Sequence, residues 1–243
     1  MADLTDRQIQ ILKTIIEEYI ETAQAVGSET LDKKYNLGIS PATIRNEMVK
    51  LTEMGYLRQS HTSAGRTPTP MALKFYIREL MKARELSVAD EVAVKEKVWD
   101  YRQDFDRLLR ETTRVLAERT RALALSTDEK GDLYYAGTAN ILEMPEFYDI
   151  DLTRSLLSLL DRFDFWGELV SRVVEGEDPI HLLLGEELGA KTLSPCGFVY
   201  IHYEIPKHKG ILGVVGPYRL NYPYIIPVIR YFGGLLEEIG RSW

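Results

Sequence analysis

Four polar residues of types that contact nucleic acid stand close together in one predicted helix of this chain. They are Thr43, Arg45, Asn46 and Lys50. Asparagine suits the edge of adenine and arginine that of guanine, whereas threonine meets a methyl group or a phosphate. Lysine neutralises backbone phosphate without reading sequence. The chemistry that this cluster predicts is recognition of DNA base edges and phosphates.

The helix that carries the cluster has clear start and stop signals. Ser40 is an N-cap candidate, and Pro41 occupies the first helical position, where a missing N–H costs nothing. Free backbone N–H groups at this helix start favour phosphate, so Ser40 and Pro41 join the candidate DNA contacts. Met54-Gly55 ends the helix. Its predicted buried stripe consists of Ile44, Met48 and Leu51.

Two further helices precede this one. Thr5 and Gln8 have the spacing of a capping box, and apolar residues then recur at helical intervals. Ser28 is the next N-cap candidate and a further candidate DNA contact, at the start of a short helix over residues 28–35. Residues 36–39 form a tight turn, in which Asn36 and Gly38 can take positive φ. This order is typical of a helix-turn-helix, although three-helix units without a DNA role share it.

A β-hairpin follows the third helix. Residues 56–60 alternate as a strand does, residues 61–68 form a small polar loop with an arginine near its tip, and a new helix starts at about Pro70. A hairpin in this place predicts a wing that lies along the DNA backbone or inserts Arg66 into a minor groove. The alternative is a surface hairpin with a solvated arginine. The candidate contacts of the hairpin are Arg58, His61, Thr62, Ser63 and Arg66.

The charge of the chain is unevenly distributed. The formal net charge is −7, which divides into +1 for residues 1–86 and −8 for the remainder. Residues 45–84 alone hold eight basic and three acidic residues. A locally basic surface on an acidic body is compatible with specific DNA binding and argues against indiscriminate binding of polyanions.

The second half changes its periodicity. We expect a helix over residues 71–86 and one long charged helix over 89–122, which serves as a core element, a connector or a dimer seam. Helices are then mixed with the strands of an antiparallel sheet, so the fold class is α+β. The predicted strands are 123–126, 133–139, 180–184, 198–203 and 210–216, and the predicted helices are 150–162, 165–174 and 223–239.

No residue of the second half predicts catalysis. Cys196 is the only cysteine and has no neighbouring activator, and the four histidines are scattered, so no metal site is expected. Glu186 and Glu187 would point to opposite faces of an extended segment, His181 suits a core position, and Arg219 suits an ion pair. We therefore expect a protein that is not an enzyme and has no cofactor. The absence of a signal peptide and of a long apolar run predicts a cytoplasmic location.

Several contiguous blocks make this sequence resemble the HrcA family, the heat-inducible transcription repressors of bacteria. They are residues 26–28, 35–37, 40–48 and 61–69, with weaker blocks at 184–187 and 213–222. The last block departs from the family's usual threonine, methionine and aspartate, because it has Tyr218, Leu220 and Asn221. The chain is also shorter than most members, which implies that their inserted dimerisation subdomain is reduced or missing.

The resemblance implies three segments. They are a winged helix-turn-helix DNA-binding domain over residues 1–86, a connecting or dimerisation helix over 87–122, and a GAF-like dimerisation domain over 123–243. It also implies a homodimeric repressor of chaperone genes, which binds an inverted-repeat operator of the CIRCE type and is kept active by the GroE chaperonin. Two alternatives keep the winged helix: a GAF-like domain that senses a small molecule, and a winged helix that binds only protein.

Overall fold

The computed structural model describes residues 4–35, 37–59, 65–171 and 178–241. The chain divides into two compact units, residues 1–82 and 83–243. Within the described ranges, no helix is long and apolar enough to cross a membrane.

The first unit is a three-helix bundle with a small hairpin. Its helices and strands are α1 (Asp6–Thr22), α2 (Ser28–Tyr35), α3 (Pro41–Glu53), β1 (Leu57–Arg58), β2 (Thr67–Pro68) and α4 (Pro70–Phe75). The capping box at Thr5 and Gln8 is confirmed, and so is the positive φ of Gly38, at 70°. Asn36 lies outside the described residues. Because β1 and β2 pair antiparallel, with Leu57 opposite Pro68, the predicted hairpin is confirmed.

A buried carboxylate joins the first two helices of this unit. The Glu18 side chain on α1 accepts hydrogen bonds from Lys34 Nζ, at 2.6 Å, and from the hydroxyl of Tyr35. These bonds, led by that from Lys34, hold the pKa of Glu18 below its usual 4.5 although burial opposes them. Glu21 also contacts Lys34, at 3.1 Å, but is largely exposed.

The predicted helix over residues 71–86 is wrong in its second half. After α4 the chain makes one π-helical turn, Tyr76–Leu80, and Met81 is already extended, with φ −70° and ψ 133°. The Met81 N–H closes that turn by donating to the Tyr76 carbonyl at 2.8 Å. Residues 82–85 are exposed, so no apolar face remains that a longer helix could bury.

The second unit is built on a five-stranded antiparallel sheet. Its strands are β3 (Leu123–Thr127), β4 (Leu133–Ala136), β5 (Ile180–Leu184), β6 (Cys196–Ile205) and β7 (His208–Pro217), in the order β4-β3-β7-β6-β5. All five predicted strands are present, but β6 and β7 are longer than expected. The prediction that the second strand extends to residue 139 is wrong. β4 ends at Ala136, because Gly137 takes φ 83° and starts a short helix.

Helices cover both faces of this sheet. They are α5 (Val88–Trp99), α6 (Phe105–Thr120), α7 (Thr138–Ile141), α8 (Ile150–Leu160), α9 (Phe163–Ser171) and α10 (Tyr222–Gly240). On one face α10 packs so closely that a methyl group on Gly240 would lie 2.6 Å from Cβ of Ile205. On the other face Trp166 of α9 stacks edge-on against Phe198 of β6, with ring centroids 5.6 Å apart.

The prediction of one continuous helix over residues 89–122 is wrong. After α5 the Tyr101 and Arg102 N–H groups donate to carbonyls only three residues back, and Asp104 then caps α6 by accepting from the Arg107 N–H at 3.1 Å. The two helices pair through ion pairs such as Lys97–Glu118, at 2.8 Å. Both belong to the second unit, and their role as connector or dimer seam stays a prediction.

The cap of α6 generates a prediction about stability. We expect Asp104→Ala to lower the free energy of unfolding by about 1 kcal/mol, because one helix-start N–H loses its acceptor. Denaturant unfolding followed by circular dichroism measures this change. Asp104→Ser keeps a capping oxygen and should retain most of the stability, whereas equal loss in both variants would contradict the cap.

The Glu18 carboxylate generates a prediction about pH. Because its folded-state pKa lies below its usual 4.5, the ionised group contributes stability above that pH, and this contribution is lost as pH falls through the lower folded value. Urea unfolding from about pH 6 to about pH 3 should therefore show a steeper loss of stability in the wild type than in Glu18→Gln. The control is Glu21→Gln, which removes the exposed partner of Lys34 and should retain the wild-type pH dependence; a Glu18→Gln curve parallel to the wild type would refute the assignment.

Candidate nucleic-acid interface

The start of α3 is built as the sequence predicts. The Ser40 hydroxyl accepts from the Thr43 N–H at 3.2 Å and lies 3.0 Å from Thr43 Oγ1, and Pro41 occupies the first turn. Ser40 and Pro41 are exposed and Thr43 is half-buried. Pro41 has no N–H, and the Thr43 and Ile44 N–H groups donate to the Ser40 hydroxyl and carbonyl, so Ala42 is the position of this turn whose N–H is suited to a phosphate.

Opposite sides of α3 have opposite character. Ile44, Met48 and Leu51 are buried, with exposed fractions of 0%, 4% and 0%, so the predicted stripe is confirmed. Arg45, Asn46 and Lys50 are exposed on other sides of the helix. Of the four polar side chains of this helix that were expected to meet DNA, these three are accessible from solvent and Thr43 is half-buried.

Two apolar residues on the exposed side of α3 were missed by the sequence analysis. Ala42 is exposed, and Val49 is 40% exposed. Together with Arg45 and Asn46 they follow the i, i+3, i+4, i+7 spacing of one helix face. The same spacing is visible in the sequence, where it could have indicated a second, partly apolar face of this helix.

The Glu47 carboxylate, on the inner side of α3, forms an ion pair with Lys50, one of the predicted DNA contacts. Glu47 is 8% exposed and accepts from Gln8 Nε2 of α1 at 3.1 Å and from Lys50 Nζ at 2.9 Å. The hydrogen bond from Lys50 is the main reason why the pKa of Glu47 is lowered. Lys50 is thus anchored within its own helix, and its ammonium group carries a partly neutralised charge.

Arg66 lies at the base of the hairpin loop, beside β2, rather than near its tip. Its backbone exchanges two hydrogen bonds with Val26, Val26 N–H to Arg66 carbonyl at 2.9 Å and the reverse at 2.8 Å. Its Nε donates to Thr52 Oγ1 of α3 at 3.1 Å. The neighbouring Gly65 is so close to Val26 that a Cβ would lie 2.5 Å from that carbonyl. The hairpin base is therefore joined to the helix-turn-helix.

The remaining predicted DNA contacts are Arg58, Ser28 and three residues of the hairpin loop. Arg58 is exposed on β1 and its Nε donates to Thr67 Oγ1 across the hairpin at 3.2 Å. Ser28 is the first residue of α2 and is half-buried. His61, Thr62 and Ser63 lie outside the described residues. The exposed positions of α3 and Arg58 thus belong to one unit, and the DNA contact of each residue stays a prediction.

Several residues that could have taken part in catalysis are buried or have structural partners instead. Burial raises the pKa of the Cys196 thiol to about 12, so the thiol is protonated at neutral pH. Arg219 pairs with Glu146, with Nη2 to Oε2 at 2.9 Å. Glu186 and Glu187 stand in a 3₁₀ turn, not on the extended segment that was expected, and Glu187 accepts from the Leu184 N–H at 2.8 Å. Burial lowers the pKa of His181.

Two family models match the chain. The model of the winged helix-turn-helix transcription repressor, HrcA DNA-binding domain, matches residues 3–80. The model of the HrcA protein C-terminal domain matches residues 48–226.

Whole-length relatives agree with these matches. The heat-inducible transcription repressor HrcA of Symbiobacterium thermophilum is 28% identical and aligns over 98% of this chain and 99% of its own. That of Carboxydothermus hydrogenoformans is 27% identical, over 97% and 98%. The first alignment spans 341 positions, 98 more than the 243 residues of this chain, so the relative contains segments that have no counterpart here.

A solved structure shares the fold. A crystal structure described as that of a hypothetical protein superimposes with a TM-score of 0.76 over 99% of both chains, at 21% identity. The architecture is thus that of an α+β protein with a winged helix and an antiparallel sheet flanked by helices. Since the C-terminal model alone covers well over half of its residues, this chain is a member of the HrcA family, whose N-terminal domain is a DNA-binding winged helix-turn-helix.

Proposed function

We propose that this chain represses heat-shock genes by binding, as a homodimer, an inverted-repeat operator of the CIRCE type. The observation that carries the proposal is the exposed face of α3, on which Arg45 and Asn46 stand opposite the buried stripe of Ile44, Met48 and Leu51. A helix with this division can enter the major groove with its polar side chains toward the base edges.

The positions of the predicted contacts support separate roles for residues that read bases and residues that bind phosphates. Arg45, Asn46 and Thr43 read bases, because they occupy the first half of α3. Ser40 and the first turn receive a phosphate. Arg58 and Arg66 position the backbone from the hairpin, and Lys50, whose ammonium group pairs with Glu47 at 2.9 Å, contacts the same backbone.

Family membership supports the remaining parts of the proposal. A homodimer fits an inverted repeat, since each winged helix then occupies one half-site. The GroE chaperonin keeps the repressor active and heat diverts it to unfolded clients. The protein acts in the cytoplasm, and the second unit has a structural and dimerising role without catalysis. The inserted dimerisation subdomain of longer members is reduced or missing in this chain.

The reading role of α3 is tested first with Arg45→Ala. We expect wild type to bind an inverted-repeat duplex more tightly than a scrambled duplex, and the variant to lose about 1–3 kcal/mol per half-site on the repeat only, the value of one bidentate base contact. Fluorescence anisotropy at fixed salt measures both. The matched control is Arg110→Ala, an exposed arginine of the second unit, which should bind as wild type does. Equal weak binding to both duplexes by the wild type would overturn the proposed function.

The phosphate role of Lys50 predicts a different signature. Lys50→Ala should weaken binding to repeat and scrambled DNA alike and reduce the slope of log K against log salt by about 0.9 per protomer, the value of one phosphate contact. Titrations at several salt concentrations measure the slope. Lys97→Ala is the control, because Lys97 also pairs with a glutamate, at 2.8 Å, but lies in the second unit. An unchanged slope in Lys50→Ala would exclude the phosphate contact.

A further inference from the structure

Val49 is an apolar residue that lies exposed on α3. Among the large apolar side chains in the described residues of the first unit, Val49 and Met71 are the two that are exposed, at 40% and 45%. Val49 is the only one of them on α3, one turn beyond Arg45 and Asn46. Its position is therefore on the face that the proposed function assigns to base reading.

Folding alone does not account for a valine at this position. A side chain that remains in solvent contributes little burial, and a β-branched residue is a poorer helix former than the lysine or glutamate common on helix surfaces. The same branching restricts χ1 in a helix to one preferred rotamer. The two γ-methyl groups of Val49 are thus held in a nearly fixed direction, away from the buried stripe.

The distance along α3 between its two exposed apolar residues corresponds to a whole number of base-pair steps. Ala42 and Val49 are seven residues apart, which corresponds to about 10 Å at the rise of an α-helix. This distance is about three base-pair steps of DNA. Arg45 and Asn46 lie between the two, so an apolar group stands at each end of the polar readers.

The major groove offers one apolar feature to such a group, the 5-methyl of thymine. We propose that Val49 contacts a thymine methyl group and thereby sets the base preference at one operator position beside those read by Arg45 and Asn46. The inference rests on the proposed function, because it requires α3 to lie in the major groove.

The test replaces thymine by uracil, which lacks the methyl group and keeps the same hydrogen-bonding groups. Each thymine of the inverted repeat is replaced in turn, symmetrically in both half-sites, and affinities for wild type and Val49→Ala are measured by anisotropy competition. At one position we expect uracil to weaken wild-type binding about fourfold per half-site, the effect of losing contact with one methyl-sized group. Val49→Ala should show no penalty at that position.

Two further variants make the result specific. Val49→Thr keeps one γ-methyl group and should retain most of the uracil penalty. Met71→Ala removes an equally exposed apolar side chain from α4 and should retain all of it. The inference is overturned if none of the uracil substitutions weakens wild-type binding, or if Val49→Ala shows the same uracil penalty as the wild type. A wild type that does not distinguish the repeat from scrambled DNA overturns the proposed function instead.

Discussion

The rotation of α3 about its own axis is the constraint on which the DNA-facing surface depends. A helix turns by about 100° per residue, so a rotation by one position would replace the exposed Arg45 and Asn46 by their neighbours. Burial of Ile44, Met48 and Leu51 sets this rotation. Fully burying such side chains contributes about 1.5–3 kcal/mol each, which exceeds the roughly 0–1 kcal/mol of a solvent-exposed ion pair in the free protein. The reading face is therefore a consequence of the core.

Hydrogen bonds and ion pairs between side chains add to the helix orientation that the buried core sets. The bond from Gln8 to Glu47 joins α1 to the inner side of α3, and Glu18 joins α1 to α2 through Lys34. Because Lys34 and Lys50 are more than a third exposed, solvent screening keeps these ion pairs weak. The Gln8–Glu47 and Lys34–Glu18 bonds specify how two helices meet, and the Lys50–Glu47 pair, within α3, limits where the Lys50 ammonium group can reach.

Much of the first unit could be predicted because its signals are local. The cap at Ser40, the proline at the first turn and the buried stripe all follow from residues within one helix. The break near Asp104 escaped prediction because the charged periodicity continues across it. The bond between Val26 and Arg66 joins residues 40 positions apart, which no local pattern reveals. Val49 was missed for another reason: the sequence pattern leaves it outside the stripe of Ile44, Met48 and Leu51, but only the structure gives its exposed fraction, 40%.

The contact between Gly65 and Val26 leaves no room for even the smallest side chain. A methyl group at residue 65 would overlap the Val26 carbonyl at 2.5 Å, and backbone on both sides must separate to accept it. The atoms that this methyl group would meet belong to Val26 and Ala25, in the segment between α1 and α2, so the strain would fall where the hairpin base meets that segment. A single added carbon atom at residue 65 would therefore displace the hairpin from the helix-turn-helix with which it has to approach DNA.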